Sequence, residues 1–286
     1  MPPYKVPKLT PPENTDLRFF AYGVFKPNQV AYSRIKHYVD VENIKETTTD
    51  YDLRERNGLP VLTENKMNSS KTRGYLIKFK PKSSELAYRI ISNSKASTLY
   101  EWKVLEIDHE PANVLIGVEP EKTNIFMKDD KNYDGLNDPI FYDAIDFIEK
   151  QLQQDSPNEK ERFFNLQMCY MLLWASIERF TLFKYGNNTK RYNNKKFSTE
   201  PAFKNAVRCI EYKYKVLNSE DLKVYEFDPE DAEECIKYYY AIRCNVIHSG
   251  KSHLQEREFL EEATRDLLTI YTYVLDDVFI NDDLIE

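Results

Sequence analysis

Residues 158–186 read NEKERFFNLQMCYMLLWASIERFTLFKYG, a long, largely apolar run that stops at Gly186, the residue type that most readily closes a helix. This stretch sets the reading of the C-terminal half. From Pro139 onward the apolar residues keep a helical period, which predicts helices at about 139–154, 158–185, 199–217, 229–248 and 255–280. Pro, Gly, Asn or Ser signals separate them. Asp228 and Pro229 suit the N-cap and first position of the fourth helix. The second half is therefore expected to be all α.

The first half has a different rhythm. Between Leu17 and about Val118, short apolar or alternating runs recur: LRFFAYGVF, GLPVL, GYLIKFK, LYEWKVLEI and NVLIGVE. In the fourth, Leu99, Trp102, Val104 and Leu105 are broken by Glu101, Lys103 and Glu106, an approximate alternation expected of half-buried strands. One helix is expected at Val30–Tyr38 and a second at Ser83–Ser92, starting from a Ser cap with Glu85 in its first turn. The class is α+β, with an extension at 1–16, a mainly β domain at 17–126, a linker at 127–138 and a helical domain at 139–286. No internal repeat is visible. The linker opens like a calcium loop at Asp130, Asn132, Asp134 and Gly135, with Asp138 in the ninth position, but Phe141 stands where a bidentate Glu must close the shell. An acidic turn is expected, and no metal.

The chain has 286 residues, 41% of them hydrophobic, enough to bury a core in each half, which excludes disordered and fibrous classes. No run approaches the roughly 18 apolar residues that span a bilayer, and the opening MPPYKVPKLTPPENTD lacks the apolar centre of a signal peptide. A soluble, cytoplasmic protein with no membrane partner is expected. Cys169, Cys209, Cys235 and Cys244 form no CxxC pair, so they read as reduced residues. Residues 1–138 carry 21 Lys and Arg against 20 Asp and Glu, whereas 139–286 carry 19 against 27. With no global basic footprint, a nucleic-acid partner has to be met by a local patch.

The strand from Leu17 to Tyr22 runs into Gly23, and such a turn exposes backbone N–H groups to a small anion. FFAYGVFKPNQ, TRGYLIKF from Thr72 and LYEWKVLEI from Leu99 together resemble the γ-glutamylcyclotransferase-like fold. The resemblance covers about 17–118 and implies a small mixed β-barrel whose substrate loop is Tyr22, Gly23, Val24 and Phe25, with Phe25 in place of the family's Leu. Family enzymes carry an acid/base Glu just before a Tyr-containing strand; here the segment before Leu99-Tyr100 is IISNSKAST, which holds no carboxylate. A ligand-binding or interaction module is expected, because Ser, Asn or Lys shuttles protons poorly near neutral pH.

Residues 238–251 read YYYAIRCNVIHSGK. Ala232, Ile236, Tyr239 and Arg243 follow one another at spacings of 4, 3 and 4, so Arg243 lies on an apolar stripe and needs an acceptor. His248 follows five residues later, at the end of that helix. An imidazole that moves a proton and a permanent cationic fork suit phosphodiester chemistry. The five-helix pattern with Arg243-x4-His248-x-Gly250-Lys251 resembles the HEPN domain (higher eukaryotes and prokaryotes nucleotide-binding). That implies an all-α bundle over about 139–280, a homodimer bringing two Arg/His pairs into one cleft, and RNA cleavage without metal. Many family nucleases have Asn directly after the Arg; here that place holds Cys244, with Asn245 next.

Glu178 follows Trp174 by four residues and Met171 by seven, so its carboxylate on an apolar face needs a buried partner, and Arg243 is the candidate. The stretch KYGNNTKRYNNKKF, 184–197, reads as a loop holding Lys184, Lys190, Arg191, Lys195 and Lys196 with no acid, interleaved with Tyr185, Tyr192 and Phe197. Cations for phosphates and rings for bases are what single-stranded RNA requires. Cys244, His248 and His253 have irregular spacing for zinc, and His37 and His109 have no evident partner.

These readings converge on a metal- and cofactor-independent endoribonuclease, of the kind found in toxin or defence systems, acting on RNA and sparing DNA. Arg243, His248, Glu178 and Asn245 form its expected catalytic set, and Lys190, Arg191, Lys195, Lys196 and Lys251 its RNA contacts. The alternatives are a non-enzymatic ligand-binding and dimerisation protein and, third, an active γ-glutamyl-type cyclotransferase.

Overall fold

The computed structural model describes residues 7–64, 71–95, 97–125, 132–138, 140–154, 158–211, 215–248 and 257–279. The chain divides into two compact units, Met1–Asp138 and Pro139–Glu286, and the class is α+β.

The first unit is a curled mixed sheet. Its strands are β1 (Arg18–Ala21), β2 (Lys45–Thr49), β3 (Asp52–Arg56), β4 (Leu59–Thr63), β5 (Thr72–Ile77), β6 (Tyr100–Ile107), β7 (Glu110–Gly117) and β8 (Asn124–Ile125), in the order β2-β5-β1-β7-β4-β3-β8. β7 organises it. Along one edge it pairs antiparallel with all of β6, from Tyr100↔Gly117 to Ile107↔Glu110. Its other edge is shared: parallel β1 takes Ala112–Val114, and parallel β4 takes Ile116. One strand edge serving two partners in succession makes the sheet bend there. β7 is buried accordingly, from Ala112 to Gly117.

Two tight turns set the antiparallel registers. Asn57 and Gly58 join β3 to β4 with φ of 54° and 72°, and Asp108 and His109 join β6 to β7 with φ of 53° and 65°. Positive φ at both positions matches the right-handed twist of the flanking strands. Helix α1 (Ser84–Asn93) packs Ala87, Tyr88 and Ile91 inward, and Tyr88 meets Phe19, Phe79 and Trp102 edge to face.

Several expectations are corrected. Val30–Tyr38 forms two 3-10 turns, Tyr32–Arg34 and Lys36–Tyr38, held by i→i+3 bonds such as Ile35 N–H to the Tyr32 carbonyl. Ser83 stands at the N-cap of α1 but its hydroxyl makes no capping bond. The polar strands β2 (KETTT) and β3 (DLRER) gave no apolar signal, because their partners β5 and β4 supply most of the buried residues. The described part of the expected linker packs on the first unit: Asn132 accepts from Lys26 Nζ at 2.6 Å, Gln29 accepts from the Gly135 N–H at 2.8 Å, and Tyr133 is buried. Of the calcium-like residues, Asp130 lies outside the described residues and Asp134 caps a short turn through the Leu136 N–H.

At Gly74 in β5, an added Cβ would stand 2.5 Å from Phe20 Cζ and 2.7 Å from the Ala21 carbonyl oxygen. Phe20 is fully buried, so it has nowhere to move. Gly74→Ala is expected to destabilise the sheet by about 2–3 kcal/mol through overpacking, read as a lower urea midpoint in chemical denaturation.

The second unit comprises α2 (Tyr142–Gln153), α3 (Glu159–Tyr185), α4 (Lys190–Phe197), α5 (Pro201–Val207), the hairpin strands β9 (Val216–Leu217) and β10 (Val224–Tyr225), α6 (Ala232–His248) and α7 (Arg257–Phe279). It is therefore not all α. Helix α3 ends on Gly186, whose φ is 90° and whose N–H bonds to the Leu182 carbonyl. Residues 190–197 are a helix and not a loop: the Thr189 hydroxyl caps the Tyr192 N–H, and Phe197 is buried against Phe180, Phe203 and Tyr271. The helix expected at 199–217 is only Pro201–Val207, after which the chain turns toward the hairpin. Asp231, rather than Asp228, caps α6, accepting from the Glu233 and Glu234 N–H groups. Among the described residues no helix is long and apolar enough to cross a membrane.

Candidate active site

Helices α3, α4 and α6 bring three charged side chains to one point. Glu178 Oε1 lies 3.1 Å from an Arg243 terminal nitrogen and 2.9 Å from Lys190 Nζ. The guanidinium lies over the Tyr240 ring at 5.3 Å, and Tyr240 meets Trp174 edge to face at 5.5 Å. Because Trp174 is fully buried in the bundle, this chain of contacts fixes the fork from the core outward. The Arg243 side chain is 12% exposed, and its Nε–H is buried with no hydrogen-bond acceptor. The terminal nitrogens of a fork paired with Glu178 carry more N–H groups than that contact uses, which leaves capacity for an anion.

His248 is the last residue of α6, about 7.5 Å further along the axis and roughly 140° around it. Its side chain lies outside the described residues, as do Gly250, Lys251 and His253. Asn245 is occupied elsewhere: its Nδ2 donates to the Leu217 carbonyl at 2.9 Å, and its Oδ1 accepts from the Ser219 N–H at 2.8 Å and hydroxyl at 2.9 Å. It thus binds the β9–β10 hairpin to α6. Cys244 is buried, and burial first, then Glu220, pushes its thiol up to about 11. Among the described residues no group of His, Cys, Asp and Glu could hold a metal ion.

The basic stretch is only partly available to a polyanion. Lys184 pairs with Glu200 at 2.8 Å, Lys190 with Glu178, and Lys195 with Glu233 at 2.8 Å. Lys196 lies over the Tyr192 ring at 5.8 Å, and Arg191 is exposed. Of the three expected stacking rings, only Tyr192 is well exposed, at 46%. Phe197 belongs to the core, and the Tyr185 hydroxyl is bound to Glu200. The missed features are the pairing of α4 cations with Glu178 and Glu233, hidden by reading 190–197 as a loop, and Tyr240, whose i, i+3 spacing to Arg243 on the helix already expected was the available signal.

In the first unit, Tyr22, Val24 and Phe25 all point into the core, each less than 5% exposed. The Tyr22 hydroxyl donates to the Leu115 carbonyl at 2.8 Å and accepts from the Leu62 N–H at 3.3 Å, tying β1 to β7 and β4. Burial, its largest cause, raises the Tyr22 phenol well above its ordinary value. Gly23 packs on Pro60, where an added Cβ would come within 3.0 Å of Cγ. Any ligand here would meet the backbone of 22–25 and not these side chains. In the segment without a carboxylate, Lys95 is buried, its ammonium 4.8 Å from the Tyr100 ring and 5.7 Å from that of Phe25.

The fold and these sites define an α+β protein with a curled mixed sheet in one unit and a helical bundle bearing an Arg/Glu/Lys cluster in the other. Comparison of the chain with family models, with curated protein sequences and with solved structures finds no match in any of the three.

Proposed function

We propose that the chain is a metal-independent endoribonuclease of HEPN type, a cytoplasmic effector of the toxin or defence kind. Its helical unit carries the reaction, and its γ-glutamylcyclotransferase-like unit senses a ligand or places a partner. The observation that carries this reading is the Arg243 fork, fixed by Glu178 and Tyr240 with its Nε–H unmet, one turn and a half before His248. In the reaction a ribose 2′-OH attacks the adjacent phosphorus and the P–O5′ bond breaks, leaving a 2′,3′-cyclic phosphate and a 5′-OH. His248 carries the proton, and Arg243 stabilises the equatorial oxygens as their charge grows. Glu178 orients the fork, Lys190 adds a second cation beside it, and Asn245 positions the neighbouring hairpin. Arg191, Lys195, Lys196 and Lys251 would contact the RNA backbone.

A homodimer would supply two Arg/His pairs to one cleft, one imidazole removing a proton and the other returning one to O5′. In support, Phe164, Met168 and Leu182 are 55%, 66% and 44% exposed on α3. Spacings of 4 and 18 residues put them within about 40° of one another, on a stripe that Glu178 borders.

The test is incubation of the purified protein with mixed single-stranded and transfer RNA in EDTA. Cleavage leaving cyclic phosphate ends, with DNA of the same sequence intact, is the expected result. Intact RNA from a dimeric protein would overturn it and favour a binding and dimerisation protein, in which Glu178 and Arg243 are only a helix-positioning pair.

A further inference from the structure

Two cations of the first unit are held against one ring. Arg34, at the end of the 3-10 turn Tyr32–Arg34, has its guanidinium 5.8 Å from the Phe25 ring centroid, and the ammonium of the buried Lys95 stands 5.7 Å from the same centroid. Lys26, next to Phe25, is buried as well and donates to Asn132. Burial lowers the Arg34 guanidinium below its ordinary value, and no charge offsets that: among the described residues this side chain makes no ion pair and no hydrogen bond. A cation withdrawn from water without a counter-charge leaves a positive potential around it.

The turn that carries Phe25 adds donors. Its carbonyls are used, that of Gly23 accepting from the Lys26 N–H at 2.9 Å and that of Val24 from the Ala31 N–H at 3.1 Å. Its amides are not: the Val24 and Phe25 N–H groups meet no acceptor among the described residues, although each residue is 3% exposed. Buried backbone donors are nearly always met, so two adjacent unmet ones call for an acceptor from outside the chain. Packing brings the turn and the cations together. Gly23 lies against Pro60, the Pro60 carbonyl accepts from the Tyr100 hydroxyl at 2.8 Å, and the Lys95 ammonium stands 4.8 Å from the Tyr100 ring.

We propose that the first unit binds a small dianionic oxyanion without an ammonium group, a dicarboxylate or a phosphate ester, with its charge on the Val24 and Phe25 N–H groups and within the field of Lys95 and Arg34. The inference rests on the reading of this unit as a ligand sensor and supplies the class of ligand. Successive N–H groups backed by cations make a cradle for an oxyanion. The same field repels the ammonium of an amino acid, and the segment IISNSKAST around Lys95 has no carboxylate to receive one.

Isothermal titration of the full chain with glutarate and with L-glutamate, which differ by one ammonium group, tests this directly. Glutarate is expected to bind at least tenfold tighter, with an affinity that falls as ionic strength rises. Inorganic phosphate titrated alongside separates the two sources: whichever of phosphate and glutarate binds tighter identifies the oxyanion. Lys95→Met, which keeps the apolar contacts of the buried stem, should weaken binding at least tenfold, and Arg34→Gln, from a half-exposed position, at least threefold. In amide nuclear magnetic resonance spectra the Val24 and Phe25 signals should move most. L-Glutamate binding as tightly as glutarate, no binding of glutarate or phosphate at millimolar concentration, or affinity unchanged in both variants would overturn the proposal. None of these readouts involves RNA, so failure here leaves the ribonuclease reading standing, and intact RNA in its own assay leaves this one.

Discussion

Arg243→Ala is expected to slow RNA cleavage by about two to three orders of magnitude, the usual cost of removing one preorganised donor from a developing oxyanion. In the proposed reaction the loss should fall on kcat more than on KM, because the fork would act on charge that appears only at the pentacoordinate phosphorus. Arg243→Lys separates charge from geometry. An ammonium can still meet Glu178, but it lacks the planar fork and the Nε–H that stands unmet in the wild-type protein. It should recover less than about a tenth of the wild-type rate. Folding should be little affected, because Glu178 is about one-third exposed and retains Lys190, so its charge is not stranded in a dry interior. The measurement is single-turnover cleavage in EDTA beside a far-ultraviolet circular-dichroism spectrum. Wild-type rates in Arg243→Ala would remove this residue from the mechanism and leave the Arg243–Glu178 pair a purely structural one.

Phe197→Ala is expected to destabilise the helical unit strongly, by about 3–5 kcal/mol. The ring is fully buried and contacts Phe180 of α3, Phe203 of α5 and Tyr271 of α7 at centroid distances of 5.1–6.2 Å. Its removal leaves a cavity that three helices border, and aromatic partners on three sides cannot all close on it. Lys196→Ala, one residue earlier on the exposed face, should change stability by less than about 0.5 kcal/mol. Urea unfolding followed at the helical signal checks the pair. Similar midpoints for both variants would contradict the packing of α4.

How far the sequence revealed this arrangement depends on which interactions decided each element. The long helix α3 was legible because its apolar run and Gly186 are local signals, and the strands β1, β4, β5, β6 and β7 because each carries its own apolar residues. α4 was not. Its sequence KRYNNKKF is short, carries a like-charge run and has Asn193 and Asn194 at its centre, and these are offset by partners distant in sequence: Glu178 and Glu233 for the lysines, Phe180 and Tyr271 for the ring. The strands β2 and β3 were hidden for the same reason, since their pairing with β5 and β4 and not their composition holds them extended. At the candidate site, the approach of Glu178 to Arg243 followed from two apolar stripes that each carried one charge. The commitment of Asn245 to the hairpin did not follow, because β9 and β10 have only two residues each and leave no periodic signal.

The shared edge of β7 also dictates an order of events during synthesis. β1 emerges early, yet its parallel neighbour is β7, where Phe20 faces Val114 roughly ninety residues later, and β4 waits for the same strand at Ile116. At the ~5–20 residues per second of translation, β1 and its apolar triad Phe19, Phe20 and Ala21 stand without their central partner for roughly 5–20 s. The hairpins closed by Asn57-Gly58 and Asp108-His109 need no such wait, since each pairs residues close in sequence. Until β7 emerges, β1 can pair only with β5, through Phe19↔Ile77 and Ala21↔Tyr75, so the nascent N-terminal unit spends seconds with the β7-facing edge of β1 open, the interval in which a chaperone or a neighbouring nascent chain can most readily capture it.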